Sequence, residues 1–270
     1  MYIGVDIGGS KILVVAGNAD HQIIRQAKVE TPATADQAII EIIHLIESVS
    51  DGHDIKAIAV GIAGLIDRAK GRFLSNSNIS WGPTPFVEKL KNHFKVPVCL
   101  ENDADVAGLA EAIEGAGKNY PYVFYLTVST GVGTGIVIDR KIYHGEHDSE
   151  GGKTYIAAEG TMETLEHAIA GPALKRRFGL YGYQITDPKM WDEFAADLAV
   201  GLYNFITVLS PSVVVIGGGV AVHFKKFEQP MHKHLQALKP KYPLPPIVPA
   251  KHIETAVAYG ALILAARELH

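Results

Sequence analysis

The chain reads as an α/β protein of two lobes, and three features of its 270 residues predict this. Apolar, β-branched runs meet across glycine at Tyr2–Ile7, Gly8-Gly9 and Ile12–Ala16. The same arrangement returns about 120 residues later, from Tyr122–Thr127 through Ser129-Thr130-Gly131-Val132-Gly133-Thr134-Gly135 to Ile136–Asp139. Between and after these runs lie stretches of helical periodicity, and strands alternating with helices define the class. A chain of this length also exceeds one small core and fits two lobes of about 100–150 residues each.

In order, Tyr2–Ile7 and Ile12–Ala16 form a hairpin, and Ile23–Val29 is a third strand. Across Asp36–Val49, Ala38, Ile39, Ile42, Ile43, Ile46 and Val49 recur at helical spacing, the mark of a helix packed on a sheet. Ala57–Ile62 is a buried strand running into Ala63-Gly64, Phe86–Phe94 is helical, and Val96–Leu100 is a strand aimed at Glu101-Asn102-Asp103. Asp105–Glu114 is an Ala-rich helix closed by Gly115. After the second hairpin, Val213–Ile216 meets Gly217-Gly218-Gly219, followed by a helical stretch, a Pro-rich loop at Pro240–Pro246 and a short strand at Ile247–Pro249. A terminal helix from Glu254 offers Ala256, Val257, Gly260, Ala261 and Leu264 for close packing. The expected domains are 1–107, with 254–270 packed back on it, and 108–253.

Composition removes several classes of function. Hydrophobic residues make up 47% and charged residues 20%, which excludes wholesale disorder. Net charge is −4 without a long basic run, against the clustered cations that nucleic acids require. The lone Cys99 cannot make an intramolecular disulfide or a cysteine zinc site. No apolar stretch reaches the roughly 18 residues that span a bilayer, and the first residues lack a signal-peptide pattern, so a cytoplasmic chain is expected.

Glycine at such turns has two readings. A tight turn calls for positive φ. Alternatively, residues without a β-carbon let backbone N–H groups close on an anion. Neither turn fits the Walker or dinucleotide spacing, and a strand rather than a helix follows each, which leaves a hairpin cradle. Asp6 ends the first strand where it would hold Mg²⁺ through water, and Gly8, Gly9, Ser10 and Lys11 supply a turn, a hydroxyl and a cation for phosphate oxygens. Ser129, Thr130, Gly131, Gly133 and Thr134 form the second turn, and Gly217, Gly218 and Gly219 would leave a flat surface for a nucleobase or ribose.

Asp6-Ile-Gly-Gly-Ser-Lys11 resembles the first phosphate motif of the actin, Hsp70 and sugar-kinase superfamily. Ser129–Gly135 resembles its second, and Val214-Val-Ile-Gly-Gly-Gly219 its adenosine motif. Glu101-Asn-Asp-Ala-Asp105, followed by Ala107-Gly-Leu-Ala-Glu111, is similar to the ROK family of sugar kinases and repressors. The resemblance implies two ribonuclease-H-like, actin-like ATPase lobes around a central cleft, and phosphorylation of a hexose by ATP and Mg²⁺. It makes Asp103 the base that accepts the sugar hydroxyl's proton, in a reaction that rests on positioning. The helix dipole behind Asp103 favours its carboxylate form, while helix capping is the competing role for Asn102 and Asp103. Asp105 is expected to face solvent or a hinge.

The same resemblance assigns sugar contacts to Asn78, in Ser77-Asn78-Ile79-Ser80-Trp81, and to Asn102, Glu150 and Glu166. Two departures stand out. Lys153 occupies the position of the family's zinc-binding, sugar-touching His, and Thr164 stands where its cysteine cluster ends, so no zinc is expected. Lys153 would then favour an acidic substituent or pair with Glu150 or Glu166. His144 and His147 are expected to be exposed rather than metal-bound. A glucokinase-like enzyme is the leading expectation. Polyphosphate as donor and a non-catalytic sugar-binding regulator are the alternatives. With the first phosphate strand starting at Tyr2, no DNA-binding segment is expected, and a homodimer is possible by resemblance.

Overall fold

A computed structural model describes residues 1–76, 78–158 and 160–268. Ser77 of the Asn78 loop and the last two residues of the expected terminal helix lie outside the described residues. The chain divides into two compact units, Met1–Ala110 with Thr255–His270, and Glu111–Glu254.

In the first unit β1 (Tyr2–Ile7), β2 (Lys11–Gly17) and β3 (Ile23–Glu30) form an antiparallel meander. Then come α1 (Ala35–Ser50), β4 (Ala57–Ile62), a small hairpin of β5 (Leu65–Asp67) and β6 (Arg72–Ser75), α2 (Phe86–Phe94), β7 (Val98–Asn102) and α3 (Asp103–Ile113). The sheet order is β3-β2-β1-β4-β7, with β1, β4 and β7 parallel. α1 starts where the Thr34 hydroxyl accepts a hydrogen bond from Gln37 N and ends at Asp51, whose φ of 49° is left-handed. Its buried Ala38, Ile39, Ile42, Ile46 and Val49 join Ile3, Val5, Ile7, Ile58, Val60 and Ile62 in one core. Each fully buried aliphatic side chain there contributes about 1.5–3 kcal/mol.

The second unit repeats the plan. β8 (Tyr122–Val128), β9 (Val132–Ile138) and β10 (Lys141–Ile142) form the meander. β11 (Tyr155–Ala158) and β12 (Thr161–Thr164) pair as a hairpin, and α4 (Leu165–Ile169), α5 (Gly171–Phe178) and α6 (Pro188–Leu209) follow. β13 (Val213–Gly217), α7 (Phe224–Ala237) and β14 (Ile247–Pro249) complete it. The order β10-β9-β8-β13-β14, with β8, β13 and β14 parallel, matches that of the first sheet position for position. Both sheets are the ribonuclease-H-like arrangement expected from the motifs. Glu111, wholly buried, ties the unit's two ends together: its carboxylate accepts from Ala116 N (2.7 Å), Lys251 N (3.0 Å) and His252 N (2.7 Å).

Several element boundaries move. β7 runs to Asn102 and α3 starts at Asp103, so strand passes into helix with no loop between. β9 begins at Val132 rather than Ile136, because Gly133 and Gly135 pair in register with Thr127 and Tyr125 and belong to the ladder. The second turn is therefore only Ser129-Thr130-Gly131. α6 was not expected. Its signals are present nonetheless: Asp187 caps it, Pro188 opens it, and Trp191, Phe194, Ala195, Leu198, Ala199, Leu202 and Phe205 form its buried stripe.

The last helix, α8 (Ala256–Glu268), belongs to the first unit and packs on it through glycine. A β-carbon at Gly4 would lie 2.1 Å from Ala258 O, and one at Gly260 would lie 1.7 Å from Val106 O. Gly260→Ala should therefore force α8 away from α3 and cost about 1–3 kcal/mol or more. Thermal unfolding followed by circular dichroism should show a Tm several degrees lower. Gly82→Ala, with nothing within 4 Å of its β-carbon, is the control that should leave Tm nearly unchanged.

Candidate active site

The carboxyl ends of β1, β4 and β7 lie side by side, with Asp6 opposite Gly61 and Gly61 opposite Glu101, and with Ile7 opposite Ile62 and Ile62 opposite Asn102. This edge gathers the first unit's candidate residues. Beyond β1, Gly8 N donates to Lys11 O at 3.0 Å, closing the first turn. Thr31 fastens that turn from β3's end, its hydroxyl donating to Gly8 O (2.6 Å) and its N–H to Ser10 O (3.2 Å). Gly9, Ser10 and Lys11 stay exposed.

The glycines of this turn do not take positive φ, nor does Gly131 in the second turn. Close approach is their reason. A β-carbon at Gly9 would meet Asn78 O at 3.1 Å, so the exposed Asn78 rests directly on the first turn. Its N–H donates to Asn76 Oδ1 (2.6 Å), and Asn76 in turn packs 2.7 Å from where a β-carbon would sit on Gly64. Gly64 O accepts from Asn102 Nδ2 at 3.3 Å. Asn78, Gly9, Gly64 and Asn102 thus form one connected patch. Trp81 of the same loop points the other way: it is buried between Phe73 and Phe86, with Nε1 donating to Pro32 O.

Asn102 and Asp103 both cap α3, since Ala104 N donates to Asn102 Oδ1 (2.8 Å) and to Asp103 Oδ1 (2.9 Å). Asp105 does not face solvent. It is buried, 3.4 Å from an Arg68 guanidinium nitrogen, and Arg68 also forks onto the buried Glu101 through Nε (2.8 and 3.0 Å) and its terminal nitrogen. Pattern alone misses Arg68, because it lies in a turn 33 residues before Glu101 in sequence.

In the second unit the turn Ser129–Gly131, with Ser129 and Thr130 exposed and Gly131 half-buried, is closed by Ser129 N donating to Gly131 O (2.8 Å). The neighbouring parallel strand brings Gly217–Gly219 beside it. Gly218 has a φ of 81° and would place a β-carbon 2.4 Å from Val128 O, and Gly219 comes within 4.0 Å of Ser129 Oγ by the same measure. Glu166 lies against the turn too: Val132 N donates to its Oε2 (3.0 Å) and Lys153 Nζ to its Oε1 (2.5 Å). Glu150 is close by, its carboxyl raised by partial burial and by Asp148 and Glu166, against the pull of Lys153.

Two expected contacts are corrected. Thr134 is buried, its hydroxyl donating to Ser149 O (2.8 Å) and accepting from Gly151 N (3.0 Å), so it anchors the Glu150 segment rather than lining the turn. Gly133 lies within β9, one residue beyond Val132, and is likewise not part of the turn. His144 and His147 are exposed.

The ROK family model matches residues 2–268, and the chain belongs to the ROK family. It is 27% identical over 233 residues to a putative fructokinase of Bacillus subtilis, covering 80% of this chain and 76% of that one. A ROK family glucokinase of Streptomyces griseus, solved with glucose and AMPPNP, superposes with a TM-score of 0.84 at 27% identity over 98% of both chains. An inorganic polyphosphate/ATP-glucomannokinase of Arthrobacter gives a TM-score of 0.72 at 27% identity, covering 97% of this chain and 96% of that one. No helix among the described residues is long and apolar enough to cross a membrane.

Burial, reinforced by the Asp103 carboxylate and opposed by Lys11, pushes the Asp6 carboxyl up to about 7. The folded state therefore holds a proton that the unfolded chain releases near pH 4, and stability declines as pH rises from about 4 through about 7. In EDTA, Asp6→Asn should raise Tm at pH 8 and leave it nearly unchanged at pH 4. Differential scanning calorimetry at the two pH values checks this, and an equal shift at both would rule out the buried charge as the cause.

Proposed function

We propose that the protein is a hexose kinase that transfers the terminal phosphoryl group of ATP to a hydroxyl of glucose or a close relative. The observation that carries this reading is the pairing of Asp6 and Asp103 at one strand edge, beside a glycine turn closed on Asn78. A largely buried Asp6 and an Asp103 that repel each other next to an exposed turn suit a site that accepts a divalent cation and an anion together. Asp6 would hold Mg²⁺ through water. Gly8, Gly9, Ser10, Lys11, Thr130 and Gly131 would take phosphate oxygens, and Gly217–Gly219 the adenosine. Bound Mg²⁺ supplies charge neutralisation at the phosphates.

Asp103 is the base in this reading. Its backbone is fixed at the first turn of α3, and its carboxylate accepts a hydrogen bond from Ala104 N, which limits its swing. Asn102, held by Gly64 O and Ala104 N, and Asn78 would orient the sugar, with Glu150 and Glu166 completing its contacts. Lys153 is already answered by Glu166, which supports a neutral hexose over an acidic one. The Gly217–Gly219 shelf beside the second turn supports a nucleotide donor over polyphosphate alone. Retention of both carboxylates supports an enzyme over a sugar-sensing regulator.

Zinc does not fit here. An ammonium group has no lone pair to offer, Lys153 is committed to Glu166, and the Thr164 hydroxyl accepts from His167 N to cap α4. Metal analysis of the purified protein should find zinc far below one per chain. A one-to-one content would overturn this reading of the 144–166 segment.

Sugars crossed with ATP and polyphosphate, each with Mg²⁺, should give product with glucose or a close relative and ATP. Asp103→Asn should lose turnover by at least about 10²-fold while sugar binding, read by calorimetry, persists. A fully active Asp103→Asn enzyme would remove Asp103 as the base.

A further inference from the structure

The start of β9, immediately after the second unit's turn, is joined to the Glu150 segment by three ties. Thr134 holds Ser149 O and Gly151 N through one buried hydroxyl. Gly152 lies so close to β9 that a β-carbon on it would stand 2.1 Å from Val132 O. The third tie runs through side chains: Val132 N to Glu166 Oε2, and Glu166 Oε1 to Lys153 Nζ. Glycine at position 131 leaves room for the carboxylate where it lies, since a β-carbon there would stand 2.7 Å from Glu166 Oε2 and displace it.

A carboxylate this close to an anion-binding turn is an electrostatic liability. Left alone, Glu166 would repel a phosphate brought to Thr130 and Gly131. Lys153 cancels that charge and keeps Glu166 on Val132 N. Both side chains are partly exposed, 55% for Lys153 and 31% for Glu166, so the pair adds little to folding stability. Its consequence lies in geometry and local potential.

We propose that Lys153 is a positioning residue that, through Glu166, sets the second glycine turn for an anionic donor and links that turn to the substrate-contacting segment at Glu150. The nucleotide readout of this idea rests on the kinase reading. The backbone readout does not.

Four full-length variants test it: Lys153→Met, Lys153→Arg, Glu166→Ala and the double variant Lys153→Met/Glu166→Ala. Residue-resolved hydrogen exchange by NMR should show the Val132 amide exchanging about tenfold faster in Lys153→Met and Glu166→Ala, and near the wild-type rate in Lys153→Arg. Calorimetric titration with AMPPNP and Mg²⁺, without sugar, should show Kd raised about tenfold in Lys153→Met, where the Glu166 carboxylate is left uncompensated beside the turn. The effect should be larger at low salt. The double variant should match Glu166→Ala alone, because the two residues act in series. Tm should stay within a few degrees of wild type throughout. Unchanged Val132 exchange in Lys153→Met, or additive effects in the double variant, would overturn the proposal. A wild-type protein that binds no nucleotide would instead refute the kinase reading and leave Val132 exchange to decide this one.

Discussion

Backbone meeting backbone, at distances that no β-carbon tolerates, is the constraint on which the rest of this structure depends. Gly4 lies under the Ala258 carbonyl, Gly260 against the Val106 carbonyl, Gly152 against the Val132 carbonyl, and Gly218 against that of Val128. The first pair seats α8 on its sheet, and the last two set the Glu150 segment and the Gly217 shelf around the second turn. Close approach brings peptide groups of separate elements into register, and each contact is made of atoms that cannot change rotamer. A site assembled from such contacts is stiff before any ligand arrives.

On the first unit's strand edge, that stiffness is set against charge. Four carboxylates, Asp6, Glu101, Asp103 and Asp105, crowd the ends of β1 and β7 and the start of α3. Arg68 answers Glu101 and Asp105, both buried, by a forked contact that fixes β7's end beneath the helix. Asp6 lacks such a partner: its burial, reinforced by the Asp103 carboxylate and opposed by Lys11, raises its carboxyl. The Glu101 and Asp105 carboxylates answered by Arg68 thus flank Asp103 in sequence, and Asp103 faces the raised Asp6 carboxyl from the start of α3.

Much of this was legible in the residues. Apolar runs broken at Gly8-Gly9 and across Ser129–Gly135 locate both hairpins, though not where the second turn ends, and periodicity locates α1 to within a residue at each end. The hairpins could be read because their information is local: strand, turn and strand adjoin in the chain. What could not be read depends on partners far apart in sequence. Asp105 looks like an exposed helical carboxylate until Arg68 is brought to it, and Thr134 looks like a turn hydroxyl until Ser149 and Gly151 close over it. Positive φ was the natural explanation for glycine in the turns, yet Gly9 and Gly131 are there because Asn78 and Glu166 lie against them. α6 is a different case. Its cap, opening proline and apolar stripe were all local and legible in the residues.

An ion pair at Lys153, where the resemblance implies a zinc-binding His, would change what the 144–166 segment can be. A tetrahedral metal site fixes four ligand atoms within tenths of an ångström and gives its stability to the fold directly. One Lys–Glu pair, partly exposed, cannot do that. The loss is offset by backbone: Thr134 under Ser149 and Gly151, Gly152 on Val132, the Thr154 hydroxyl donating to Gly151 O (2.7 Å), and Leu165 N donating to Thr154 O (2.8 Å). These contacts hold the segment's main chain, and Lys153 and Glu166 are its electrostatic part. Because that part adjoins the second turn, a change at position 153 alters the potential at the turn as well as the shape of the Glu150 segment. The segment and the turn therefore respond to one substitution as a single body.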